Sequence, residues 1–391
     1  MSGAFDRLAT RRGHLAFENS LRALTVVIDG IPGGINLGQG ICDLDTPGPL
    51  QKGAMGSIDG DDRQTYTHHS GLPGLRSAIA DKLQRHNGID IGDDQVMVAA
   101  GASGAFSAAV FTLLEPGDEV IVFEPFYAYH PSTLRLADAV PVSVPLEPRT
   151  FALDPDRLRA AITDRTRAIL VNTPANPSGK VFEQADLHAV ADAVEGTDIV
   201  VITDEPYEYM TFDGRRHVSP ATVEGLGDRT LTIGSFSKTY SITGWRIGYL
   251  AGPADMVASC GRVFDQLSVC AARPLQRGVE RALRELPDEF YTELRDDYER
   301  KRDRMCEALA TAGFSFAPPE GAYYVLADHR QVFGDVDSEA AVRTMIERIG
   351  INAVPGGVFY EDPTRSRDIR FHFAVTDEVL DEVCGRLVTL A

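Results

Sequence analysis

The sequence predicts an α/β protein: a large unit built on a mostly parallel, helix-covered sheet, followed by a smaller α+β unit. Three observations carry this. Short apolar runs recur between residues 96 and 252, helical patterns separate several of them, and the texture changes after about residue 285. The runs are VMVAA (96–100), VIVF (120–123), AILV (168–171), IVVIT (199–203), TLTIG (230–234) and IGYLAG (247–252). Each is too short for a helix and β-branched enough for a strand buried on both faces. Between them lie AFSAAVFTLL (105–114) and EQADLHAVADAVE (183–195), the second placing Ala185, Leu187, Val190, Ala191 and Val194 near the helical period. Strand and helix in alternation give a parallel sheet covered by helices. Beyond it the pattern predicts a long charged helix (287–312), an aromatic strand with Tyr323, Tyr324, Val325 and Leu326, and a last helix with Val379, Leu380, Val383 and Leu387 on one face.

Composition excludes several functions. The chain has 391 residues and a net charge of −19, and its basic residues are scattered or interleaved with acids, as in RDDYERKRDR (295–304). Such a surface repels a phosphate backbone, so nucleic acid is not an expected partner. No run approaches the roughly 18 apolar residues needed to span a bilayer, and MSGAFDRLATRRGH lacks the apolar stretch of a secretory signal, so no membrane association is expected. Five cysteines, odd in number and without metal-clamping spacing, suggest a reducing compartment. The expectation is a cytoplasmic protein. No fixed-period repeat and no Gly/Ser-rich linker occurs, so its domains are expected to pack closely.

Four segments carry chemistry. In GSFSKTYSITGWRIGY (234–249) a strand runs into a Ser-x-Ser-Lys turn with Arg246 eight residues beyond Lys238. An amine displayed there beside hydroxyls and a guanidinium is placed to form a Schiff base near a bound phosphate; alone, Lys238 reads equally as a surface lysine. Asp204 ends the run IVVIT at the carboxyl edge of the sheet, where open α/β folds bind ligands. A carboxylate at that place can keep a pyridinium nitrogen protonated, cap a helix or hold a metal, and no His or Cys cluster supports the metal. Tyr207 follows three residues later. VMVAAGASGAF (96–106) is a strand, a Gly-rich turn and a helix start, suited to a phosphate but departing from the dinucleotide fingerprint at Phe106. NTPANPSGK (172–180), taken singly, is only a turn.

Taken jointly and in order, NTPANPSGK, ITDEPYEY, SFSKTYSITGWRIGY and DIRFHF resemble the fold-type I, class I/II aminotransferases that use pyridoxal 5′-phosphate, and INLGQG (35–40) is similar to their kynurenine/methionine/glutamine branch. The resemblance covers about residues 35 to 375. It implies a three-layer large domain over 46–285, a small domain over 286–391, and an arm with part of the small domain over 1–45. It implies that Lys238 bonds the cofactor and shuttles the proton, that Asp204 pairs with the ring nitrogen, and that Asn176 and Tyr207 bond the ring hydroxyl. The Ala102 and Ser103 amides, Ser235 and Arg246 would hold the phosphate, with Tyr127 stacked on the ring. Arg370 would clamp the substrate carboxylate bidentately, aided by Asn176 and Gly38. Tyr66 matches a tyrosine that reaches the neighbouring subunit's phosphate, which implies a homodimer with shared active sites.

The chain departs from that branch at Ile41, Cys42, Asp43 and Leu44, where relatives carry a Phe-Pro-Asp-Phe type of segment, and at Pro206. Ile41 and Leu44 either border the substrate pocket or pack the domain junction. Arg273 is either a second cation for a dicarboxylate or a surface residue, and His68 and His69 read as structural or solvent-facing. The leading function is amino-group transfer between an L-amino acid with a neutral side chain and a 2-oxo acid. Elimination, replacement, ring closure or oxidation on the same scaffold is the alternative. A regulator that borrows this fold needs an amino-terminal DNA-binding module, for which the residues before INLGQG leave no room.

Overall fold

The structure is a computed structural model that describes residues 20–42, 44–60 and 62–391, so MSGAFDRLATRRGH and Asp43 lie outside the described residues. All six apolar runs form strands of one sheet: β1 (Val96–Ala99), β2 (Glu119–Glu124), β4 (Thr166–Asn172), β5 (Val200–Asp204), β6 (Thr230–Ser235) and β7 (Gly248–Ala251). The seventh strand, β3 (Val140–Pro145), was not expected from its sequence, VPVSVP. It is an edge strand with a mostly half-exposed face, where two prolines are tolerated and no long apolar run is needed. The order across the sheet is β1-β7-β6-β5-β4-β2-β3. Pairings from β6 through β3 are parallel, whereas β7 runs antiparallel to both β1 and β6.

Alternation along the strands feeds two faces. Val120, Val122, Leu170, Ile202 and Ile233 pack beneath helices Gly101–Leu113 and Ala254–Ser268 with Phe106 and Phe264. Ile121, Ile169, Val171 and Val201 pack on the opposite face with Leu187, Val190 and Val194 of helix Gln184–Val194. This is a helix–sheet–helix sandwich. A separate core joins both ends of the described chain: Leu24, Ile28 and Leu37 pack with Tyr298, Phe371 and Leu380. The expected charged helix spans Asp288–Thr311, and the last helix spans Asp377–Leu387 behind a Thr376 cap. The aromatic strand is β8 (Tyr324–Asp328), in a three-stranded antiparallel sheet with β9 (Val354–Pro355) and β10 (Asp368–His372), ordered β9-β10-β8. Ile35–Asn36 pairs in parallel with Ile351–Asn352.

His372, 1% exposed on β10, has a buried imidazole that no side chain pairs among the described residues. Burial first, then the positive charges of Arg370 and Lys238, push its pKa from 6.5 down to about 3. The unfolded chain therefore takes up a proton that the native chain refuses. Its contribution is intact above pH 6.5 and is lost as pH falls toward 3, at up to about 1.4 kcal/mol per pH unit. Urea midpoints are expected to fall across this window and to fall less steeply in His372→Leu; identical slopes in the two proteins would contradict the assignment.

Candidate active site

Parallel register places the site. Asn172 on β4 stands opposite Asp204 on β5, so both lie at the carboxyl edge of the sheet. Ser235 ends β6, and its hydroxyl accepts from the Ser237 amide at 3.2 Å, starting the single turn Phe236–Thr239 that carries Lys238. The chain then returns through Arg246 into β7. At the exit of β1, Gly101 has φ +73°, and a Cβ there would collide with the Arg246 guanidinium. A Cβ on Gly248 would lie 2.7 Å from the Ala102 nitrogen. Glycine at both places lets a helix N-terminus, a guanidinium and the Ser235 turn converge, and their donors and helix dipole suit an anion.

These groups line a cavity of about 330 Å³. Asp204, 7% exposed, receives His130 Nε2 on Oδ2 at 3.0 Å, while its Oδ1 is buried without a partner. Lys238 Nζ donates to the Gly40 carbonyl at 2.8 Å, which also accepts the Tyr323 hydroxyl at 2.9 Å. The Tyr207 and Tyr324 hydroxyls are 3.0 Å apart, and burial followed by Tyr324 raises the Tyr207 pKa, keeping it a neutral donor. Tyr127 meets His130 edge-on at 5.1 Å, and its pKa too is raised, chiefly by burial. Arg370, 5% exposed, donates to Asn176 Oδ1 at 2.8 Å and to the Gly38 carbonyl at 2.9 Å. Its guanidinium lies 4.3 Å from the Tyr324 ring centroid, and its Nε has no partner.

The structure thus brings Gly38, Ala102, Ser103, Tyr127, Asn176, Asp204, Tyr207, Ser235, Lys238, Arg246 and Arg370 to one cavity. Tyr66 does not line it; that side chain is 80% exposed. Arg273 does not line this chain's own cavity; it donates to Asp62 and to the carbonyls of Thr65 and Tyr66. Of the unusual segment, Ile41 lines the cavity, whereas Leu44 packs against the core of Tyr298 and Phe371. His68 and His69 lie 3.9 Å apart, away from the cavity. Sequence reasoning missed His130, Tyr324 and Phe359. The Tyr127-x-x-His130 spacing at a helix start was a usable signal for the first, since residues three apart share a face; the partner Asp204 is 74 residues away.

An orphaned carboxylate oxygen, an anion cradle and an amine around one cavity fit a phosphorylated pyridine aldehyde. Fold and site together define a pyridoxal-phosphate-dependent aminotransferase, and the comparisons agree. Residues 32–387 match the family described as aminotransferase class I and II, and the chain belongs to that family. It transfers an amino group between an amino acid and a 2-oxo acid, with pyridoxal 5′-phosphate as cofactor. It is 38% identical over 372 residues to the probable N-succinyldiaminopimelate aminotransferase DapC of Mycobacterium tuberculosis, covering 92% of this chain and 93% of that protein. It is 35% identical over 354 residues to the methionine aminotransferase of Escherichia coli, covering 90% and 91%. Among solved structures, N-succinyldiaminopimelate aminotransferase from Mycobacterium tuberculosis superposes with a TM-score of 0.92 at 37% identity, over 98% of this chain and 100% of that one. YbdL from Escherichia coli, described with a methionine aminotransferase function, gives 0.93 at 32% identity, over 97% and 99%.

Proposed function

We propose that this aminotransferase acts on amino acids with a neutral side chain, using Lys238 as the proton-moving base and Arg370 as the carboxylate clamp. The observation that carries the assignment is the convergence of Lys238 Nζ, the unpartnered Asp204 Oδ1 and the buried Arg370 guanidinium on one cavity. Pyridoxal phosphate, when bound, supplies an electrophilic carbon for the amino group and a ring that accepts the electron pair left by the α-proton. Asp204 Oδ1 would hold the ring nitrogen's proton, with His130 fixing the carboxylate. Asn176 and Tyr207 would bond the ring hydroxyl, and Tyr127 would cover the ring face. The Ala102 and Ser103 amides, Ser235 and Arg246 would bind the phosphate. Arg370, oriented by Asn176 and the Gly38 carbonyl, would orient the substrate so that Lys238 Nζ takes the α-proton and returns it one carbon away.

The side-chain preference follows from the remaining lining. Among the described residues there, Lys238, Arg246 and Arg370 are the Lys and Arg side chains, and each has a task. Ile41, Tyr129, Thr133 and Phe359 add no charge. A second carboxylate would be desolvated without a partner, which costs several kcal/mol. Single-turnover rates are therefore expected to be at least roughly tenfold higher for methionine or phenylalanine than for aspartate, a difference of about 1.4 kcal/mol. Glutamine, kynurenine and arginine complete the series. Aspartate reacting fastest would overturn the preference.

We also infer a homodimer with shared sites, and a cytoplasmic location consistent with five cysteines that remain thiols. Met55 and Ile58 on helix Gly48–Asp59, Tyr66, and Leu267 and Val269 ahead of helix Arg273–Glu285 are exposed large apolar side chains. Those two helices pack on each other, and Arg273 at the start of the second bonds the Tyr66 carbonyl; exposed apolar side chains on and beside them are of the kind that a subunit interface covers. On the same reading the large domain spans 46–285 and the small one 286–391, with the described residues before 46 supplying an arm and part of the small domain. Mixing Lys238→Ala protein with an inactive Tyr66 variant is expected to restore activity in hybrid dimers. Sedimentation of the active enzyme as a monomer would refute sharing.

A further inference from the structure

Behind the turn that carries Asp204 and Tyr207 lies a second cavity of about 440 Å³, a volume that suits a small-molecule ligand. Its buried floor is the Lys82–Glu208 ion pair. Asn87 accepts from Lys82 at 2.9 Å and donates to Glu208 at 2.8 Å, and Lys82 also donates to the Tyr249 hydroxyl at 3.1 Å. The floor is therefore satisfied and neutral overall. Glu205, Glu208 and His217 bring ligand atoms within 4.8 Å of one another, a spacing a metal could use. The Lys82 ammonium already holds the cation position on Glu208, and Glu205 is filled by Thr203, Ser219 and His217. A metal would have to displace a buried, hydrogen-bonded ammonium.

Above the floor the charge balance reverses. Arg85, Arg215, Arg216 and Arg295 line the walls, against Asp288 as the carboxylate besides Glu208. Arg215 is engaged by Glu183 and Glu320, and Arg295 by its neighbour Asp296. Arg85 donates through Nε to the Asp81 carbonyl alone, and the Arg216 guanidinium forms no hydrogen bond among the described residues. His217 lies between these groups and the floor. Its side chain is 3% exposed, Nε2 is 2.6 Å from Glu205, and Nδ1 is buried without a partner. A buried orphan nitrogen beside two uncommitted guanidiniums, in a chain of net charge −19, asks for a ligand.

We propose that this cavity binds a small multivalent oxyanion, of the phosphate or carboxylate class, held between Arg85 and Arg216, with the His217 ring at its inner end carrying a proton on both nitrogens in the complex, Nε2–H toward Glu205 and Nδ1–H toward the anion. Forked guanidinium donors match the paired oxygens of both classes. The test uses the holoenzyme, whose bound cofactor fills the Ser235–Arg246 cradle, in titration calorimetry against sodium pyrophosphate and, separately, sodium citrate. At least one probe is expected to bind once per chain without changing the cofactor's visible absorbance, the tighter of the two assigning the class. The exposed double variant Arg85→Gln/Arg216→Gln is expected to keep that absorbance and the thermal midpoint while binding at least about tenfold more weakly. Three results would overturn the proposal: neither probe binding at millimolar concentration, equal binding by the double variant, or binding accompanied by release of the cofactor.

Discussion

Lys238→Ala protein is expected to lose turnover by about 10,000-fold or more, roughly 5 kcal/mol of barrier, since on the proposed reading one amine would both bond the cofactor and move the proton. No other amine stands ready to replace it. Among the described residues lining the cavity Lys238 is the sole lysine, and the remaining cations are guanidiniums, which do not give up a proton at neutral pH. The variant should still bind pyridoxal phosphate through the Ser235, Arg246 and helix N-terminal donors, so equilibrium dialysis separates lost chemistry from lost binding. A small primary amine added to the assay should restore part of the rate. Substantial turnover without that amine would remove Lys238 from its assigned place.

Asp204→Ala should cost about 3–4 kcal/mol in kcat with little change in KM, as when a preorganised charge is withdrawn from a developing one. On the proposed reading the substrate carboxylate would be held by Arg370 and not by Asp204, so ground-state binding is expected to survive. Asp204→Asn isolates the charge: it preserves shape and still offers His130 an oxygen, yet presents no anion to the ring nitrogen, and it is expected to be nearly as slow as the alanine variant. An asparagine variant with normal kcat would show that Asp204 acts through packing alone.

The legible part of this molecule was what short segments encode. Buried parallel strands announce themselves as apolar runs, and the Ser-x-Ser-Lys and Asp-Glu-Pro-Tyr turns sit directly behind such runs. β3 escaped because an edge strand needs apolar residues on one side only and accepts the prolines that argue against a central strand. His130 and Tyr324 escaped because their meaning lies in partners, Asp204 and Tyr207, that are 74 and 117 residues distant. The fates of Ile41 and Leu44 diverge, one at the cavity and one against a core, because no periodicity in this stretch of sequence assigns either side chain a face. Arg370 was found through family resemblance; nothing in DIRFHF by itself distinguishes a carboxylate clamp from a strand arginine.

The antiparallel return of β7 has a consequence for how this scaffold can be altered. Ser235 and Gly248 face each other across β6 and β7, so the segment carrying Lys238, Thr243 and Arg246 is a loop stapled shut at its neck by main-chain hydrogen bonds. Lys238 and Arg246 thus sit on one short closed loop, and their separation is insulated from length changes elsewhere in the chain. Recombination breakpoints placed outside 235–248 should therefore exchange substrate-facing walls without disturbing the chemistry, whereas a single residue inserted inside the loop would shift the two groups relative to each other.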